Sequence, residues 1–226
     1  MDTGLFDRLR TRAADDWRAY TGHLFIRRLA DASLAPAAFR HYLAQDYLFL
    51  IHYARAYGLA IYKSDTLADM RQAASVAGAL LDVEMGLHVR YCAGWGLSEA
   101  DMAQVTPDPA MLAYTSYVLE RGMAGDLLDL LVGLAPCFAG YAEIGRKLLA
   151  DPATRLDGNP YREWIEMYGG AEFQDAARIA LDQLERVGAA RGADARFENL
   201  SGTFAAATRL EIGFWEMGLA AARTPA

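Results

Sequence analysis

The 226 residues include only two cysteines and four histidines, and each scarcity argues against a class of protein. Two thiols cannot make a disulfide framework, and neither stands in a Cys-x-x-Cys pair of the kind that binds zinc or cycles redox state. The four histidines, His23, His41, His52 and His88, are a thin supply for a helical di-metal centre, which draws histidines from two helices beside carboxylates. Positive charge is short as well. Lysine and arginine number 22 against 29 aspartates and glutamates, a formal charge of −7 without a basic run. The electrostatic footprint of a nucleic-acid or anionic-membrane binder is therefore missing. Long apolar runs are also lacking. The longest stretch free of charge, Leu130 to Ala142, holds 13 residues and contains Pro136, short of the roughly 20 that a spanning helix needs. No membrane span is expected. The chain opens Met1-Asp2-Thr3-Gly4, with acid where a secretory leader carries base, which leads us to expect a cytoplasmic protein.

What is present is a globular composition: 54% apolar residues and 11% aromatic. The length suits one large domain, which we take as residues 1–226. Turn-forming residues fall at wide intervals: Gly22, Ala35-Pro36, Lys63 to Asp65, Gly94 to Ser98, Thr106 to Pro109, Gly122 to Asp126, Asp151-Pro152, Gly158 to Pro160, Gly169-Gly170 and Gly188 to Gly192. Between them apolar residues recur at spacings of three and four, and no β-branched run alternates in and out. The expected class is all-α, a single bundle of eight or nine helices acting on a small molecule.

Four apolar stripes are interrupted by residues that are costly to bury without a partner. Phe39, Leu43, Asp46, Leu50, Tyr53 and Tyr57 share a face, which turns Asp46 inward. Leu127, Leu130, Leu134, Cys137, Tyr141, Ile144 and Leu148 set Cys137 and Tyr141 one turn apart, with Pro136 predicting a kink beside the thiol. Phe197, Leu200, Phe204, Ala207, Glu211 and Phe214 bring a second carboxylate inward. Met70, Ala74, Ala77, Leu81, Glu84, His88 and Tyr91 form the fourth stripe, in which Glu84 and His88 read as a buried hydrogen-bonded pair between helices. Any one of these has a bland reading as core. A thiol, two carboxylates and several phenols aimed into one bundle together suggest covalent catalysis on a flat ring. Cys92, beside Gly94 near a helix end, reads as structural.

These residues also carry a resemblance. His23-Leu24-Phe25, Phe39-Arg-His-Tyr-Leu-Ala-Gln-Asp46, Glu84-x-x-x-His88-x-x-Tyr91-Cys92-Ala93-Gly94-Trp95-Gly96, Ala113-Tyr114-Thr115-Ser116-Tyr117, Pro136-Cys137-x-x-x-Tyr141-Ala142-Glu143-Ile144-Gly145, Trp164-Ile165-x-x-Tyr168-Gly169-Gly170 and Glu211-x-x-Phe214-Trp215-x-Met217 occur in order along nearly the whole chain. The set resembles the TenA/thiaminase II family of the heme-oxygenase-like helical fold. The resemblance implies a cofactor-free hydrolase and homotetramer acting at the aminopyrimidine methylene carbon. It would convert thiamin or aminomethylpyrimidine to hydroxymethylpyrimidine for thiamin salvage. It implies Cys137 as nucleophile, Glu211 as proton donor to the ring nitrogen, Asp46 as base or relay, and Tyr114, Tyr141 and Tyr168 as walls of the pyrimidine pocket. Phe49 occupies a substrate-binding position where the family commonly has tyrosine. Two further departures are Leu24 in place of a proline and Ala32 in place of a glycine. The alternatives are a di-metal oxidase of the same fold, with Asp46, Glu84, His88 and Glu211 as ligands, and a non-enzymatic pyrimidine-binding regulator.

Overall fold

A computed structural model describes residues 4–223; the acidic start at Met1 to Thr3 lies outside them. Among the described residues there are helices and no strands. Twelve α-helices run in chain order: α1 Leu5–Arg12, α2 Ala14–Thr21, α3 Leu24–Ala30, α4 Pro36–Lys63, α5 Leu67–Ala79, α6 Met85–Ala93, α7 Glu99–Met102, α8 Pro109–Ala124, α9 Leu127–Ala150, α10 Arg162–Gly169, α11 Ala171–Ala190 and α12 Phe197–Ala221. A π-turn, Leu80–Glu84, joins α5 to α6, and a 3-10 turn, Ala193–Arg196, precedes α12. The count exceeds eight or nine because the N-terminal region breaks at Ala13 as well as at Gly22-His23, the first with no glycine or proline to announce it, and because α7 is a single turn.

Local chemistry accounts for the boundaries that the sequence does mark. Pro36 opens α4 at a position where its missing N–H costs nothing. Asp108 caps α8 by accepting from the Ala110 amide, with Pro109 next. Thr66 caps α5 through the Asp69 amide, and Ser98 with Asp101 forms a reciprocal capping box on α7.

The described residues gather into two compact units. The first comprises the chain up to Leu34 and Leu131–Ile212; the second comprises Ala35–Leu130 and the chain from Gly213. In the first unit Trp17 of α2 stacks on Phe204 of α12 at 5.6 Å, and Phe6 of α1 meets both rings edge-on. The Leu5 and Phe6 amides at the start of α1 donate to the Glu185 carboxylate of α11 at 2.7 and 2.8 Å. An anion thus sits on a helix N-terminus, where the backbone dipoles favour it.

In the second unit α4 is the central element, with α5, α6 and α8 against it. All six residues of its stripe are buried, and so are Tyr42, Ala44, Gln45, Tyr47 and Phe49 between them. The fourth stripe is a correction. Ala74 and Leu81 are exposed, Leu81 by 52%, while Asp69, Ala73, Leu80, Leu87, His88 and Cys92 are buried. The π-turn inserts extra residues into a turn and resets the helical register, so no single 3.6-residue stripe runs through both α5 and α6. A second correction concerns α9. It is 24 residues long and apolar enough to span a bilayer by length and composition, and 83% of its most apolar stretch is buried in the protein.

Candidate active site

α9 continues through Pro136 without interruption. The proline takes away one backbone donor, leaving the carbonyl one turn earlier without its usual partner, directly before Cys137. Cys137 is partly exposed, on an element whose neighbours at Leu134, Ala135 and Ile144 are closed off. The two thiols differ sharply here. Cys92 is wholly buried, and burial pushes its pKa up to about 11, so it stays protonated and unreactive near neutrality.

One turn along α9 from Cys137 begins an aromatic group of the first unit. Tyr141 lies 4.8 Å ring to ring from Tyr168 of α10, and Trp164 packs on both, at 5.7 and 4.6 Å. Tyr168 rests edge-on against Phe173. α10 reaches this position because α9 carries Gly145: a Cβ there would stand 2.4 Å from the Gly169 nitrogen and the Tyr168 carbonyl carbon. Glu211 of α12 is 1% exposed, an inward carboxylate as its stripe requires. Glu143, next to the candidate tyrosines, is also buried on one side. It accepts from the Trp17 indole at 3.0 Å and pairs with Lys147 and Arg10 at 2.5 and 3.4 Å. Burial alone would raise its pKa, but these bonds and cations outweigh burial and lower it.

The second unit holds the other candidates. Asp46 and Phe49 lie one turn apart on α4, 4% and 3% exposed. The Phe49 ring stacks on Tyr53 at 5.3 Å, tilts against Tyr114 of α8 at 4.9 Å and meets Phe214 at 5.6 Å. Asp46 has partners that sequence reasoning did not assign to it. His88 of α6 approaches Asp46 Oδ2 through Nε2 at 2.6 Å, and the Tyr42 hydroxyl donates to the same oxygen at 3.1 Å. The other ring nitrogen, His88 Nδ1, is 2.9 Å from the main-chain carbonyl of Glu84. The expected pairing of Glu84 with His88 across helices is thus corrected. The two belong to one continuous helical run, they meet through the backbone, and the carboxylate facing the imidazole is that of Asp46. The signal was present, since both polar residues interrupt apolar stripes, but nothing local ties together residues 42 positions apart.

An open groove of about 600 Å³ in the second unit is lined by His41, Asp108, Pro109, Gly213 and Glu216. None of the candidate residues lines it. Among the described residues, no group of three or more His, Cys, Asp or Glu side chains is placed to hold a metal ion.

The helical architecture has close counterparts. A domain from Shewanella denitrificans described as having a heme oxygenase-like fold superposes with a TM-score of 0.75, covering 99% of this chain and 94% of its own, at 16% identity. The fold is of that type. A family model described as TENA/THI-4/PQQC matches residues 10–221, and the chain belongs to that family. Its relatives include a Halalkalibacterium halodurans protein named aminopyrimidine aminohydrolase, 36% identical over 211 residues that make up 92% of each chain. A crystal structure from a Silicibacter species, described as a TenA family transcription regulator, is 44% identical with a TM-score of 0.88, covering 95% of this chain and 96% of its own.

Proposed function

We propose that the protein is an aminopyrimidine aminohydrolase that uses Cys137 as a covalent nucleophile. The observation that carries this reading is the 36% identity, over nearly the full length of both chains, with a relative of that name. The different settings of the two thiols support the choice of Cys137 over Cys92.

The roles follow from chemistry. The Cys137 thiolate adds to the electron-poor pyrimidine ring while Glu211 gives a proton to the ring nitrogen, so the electron pair displaced by sulfur is not left as a ring anion. Those electrons then expel the substituent on the exocyclic methylene; aminomethylpyrimidine, with its exocyclic amine as the ammonium, loses neutral ammonia. Water adds at the methylene and releases one proton to solvent; as the thiolate departs, the ring nitrogen returns its proton to Glu211 and the ring regains aromaticity. The net change is amine for hydroxyl, with hydroxymethylpyrimidine and ammonia as products. Asp46 holds the ring's amino group and relays protons, and Tyr114, Tyr141, Tyr168 and Phe49 supply the aromatic surfaces against which the ring lies. The reaction draws on side chains alone and serves thiamin salvage. From the resemblance we also take the chain as one domain, a homotetramer and cytoplasmic.

The test is incubation of purified protein with thiamin, aminomethylpyrimidine and its formylated derivative in 18O-water, with products identified by mass. Labelled hydroxymethylpyrimidine is expected, and its absence from all three sinks the proposal. The Silicibacter relative, described as a transcription regulator, favours a second reading, a regulator that binds a pyrimidine. Tight binding with no turnover in the same assay puts that reading first.

A further inference from the structure

His88 has no place in the reaction as written, yet it is a titratable group sealed inside the second unit. The ring is 0% exposed and touches polar atoms at both nitrogens. A backbone carbonyl offers only lone pairs, so Nδ1, 2.9 Å from the Glu84 oxygen, must carry a hydrogen. Nε2 then faces Asp46 Oδ2 at 2.6 Å, as short as the tightest charge-assisted bonds. One proton lies between them. On Nε2 it makes an imidazolium beside a carboxylate, and Oδ2 accepts from both the imidazolium and the Tyr42 hydroxyl. On Oδ2 it makes a neutral acid, and Tyr42 is left donating to a poorer acceptor.

The charged groups around the ring favour the first arrangement. Asp46 comes from α4 and Glu84 from the π-turn, both anionic, and the short α7 against α6 carries Glu99 and Asp101. Burial opposes the charged imidazole, but the bond to Asp46 and the two carboxylates outweigh it and hold the His88 pKa above its ordinary value. Both bonds to Asp46 end on Oδ2; Oδ1 accepts no hydrogen bond among the described residues.

We propose that His88 is a positioning residue: an imidazolium that clamps Oδ2 of Asp46, keeps that side chain a carboxylate, and leaves Oδ1 as the oxygen offered to an N–H donor of the substrate. This rests on the reading above that Asp46 meets the aminopyrimidine. It narrows the substrate to heterocycles bearing an amino or ring N–H beside the reacting carbon, because a fixed carboxylate rejects an acceptor at that edge.

Two measurements test it. In protein labelled with 15N-histidine, the signals lost in His88→Gln identify this ring. Its titration midpoint should lie above the ordinary value of about 6.5; a midpoint at or below that value overturns the proposal whatever the kinetics. In His88→Gln the amide still donates to Oδ2 but carries no charge, so the acidic limb of the kcat/KM profile for aminomethylpyrimidine should move up by roughly a pH unit or more. A variant that only melts earlier, with the limb unmoved, makes His88 a structural residue and overturns it too. Full activity in Asp46→Asn overturns the reading of Asp46 itself, and the imidazole signals then report the charge of a buried pair with no part in turnover.

Discussion

At the scale of single residues, the two thiols give the sharpest contrast. Cys137→Ser is expected to abolish turnover with melting temperature nearly unchanged, because serine fills the space without ionising near neutral pH. Cys92→Ser should leave turnover intact, since that thiol is closed off and protonated; more than about a tenth of the activity surviving in Cys137→Ser sinks covalent catalysis by this thiol. Ala32 makes a different kind of prediction. It stands just past α3 at φ 63°, with the Ser33 amide bonded to the Arg28 carbonyl and its own to Leu29, a Schellman closure whose left-handed position normally takes glycine. Here the family's usual glycine has a physical reason, and Ala32→Gly should stabilise the protein by about 1 kcal/mol in denaturant titration. Glu143 predicts a pH effect. Its pKa is lowered on folding, so its contribution is complete above the unfolded value of about 4.3 and is lost as pH falls through the folded one. In Glu143→Gln the decline in melting temperature below about pH 4.5 should be shallower than in the unmodified protein.

At the scale of elements, the approach of α10 to α9 is decided by a missing side chain. A methyl group on residue 145 would strike the main chain of Tyr168 and Gly169, and backbone cannot swing aside as a side chain tip can. Gly145→Ala should cost about 1–3 kcal/mol. It should also lower kcat/KM, because the change displaces Tyr168, whose ring packs on Tyr141. Loss of stability with kinetics untouched would remove Tyr168 from the substrate pocket. The π-turn shows the complementary case, in which the element's irregularity defeats pattern reading. Leu81 and Val83 face outward within it at 52% and 60% exposure, although both would be at home in a core.

At the scale of the whole molecule, neither unit is a continuous piece of chain. The second needs residues from Gly213 onward, whose Phe214 and Trp215 pack on Tyr42 at 5.9 and 5.3 Å. The first needs both Trp17 and Phe204, from opposite ends of the sequence. The family model, running from residue 10 to 221, takes in both. Heat is therefore expected to unfold the protein in one transition seen alike by calorimetry and circular dichroism. Two resolved transitions would mean that the units are separate domains.

The sequence by itself determined which way most helices face. The 3.6-residue period is a local property, so the inward turn of Asp46, Tyr141 and Glu211 could be read from their own segments, as could the boundaries at Pro36 and Asp108-Pro109. The family motifs named the same residues a second time. Only the tertiary structure decided which faces meet. That His88 bonds to the carboxylate of Asp46, 42 residues away, while meeting Glu84 at its main-chain carbonyl, depends on how α6 lies on α4 after the π-turn has reset its register. That Gly145 must be glycine depends on α10, a separate segment, crossing α9 at main-chain distance. Periodicity specifies a surface, and packing chooses its partner. The choice is made by side-chain volumes from distant segments that no local pattern contains.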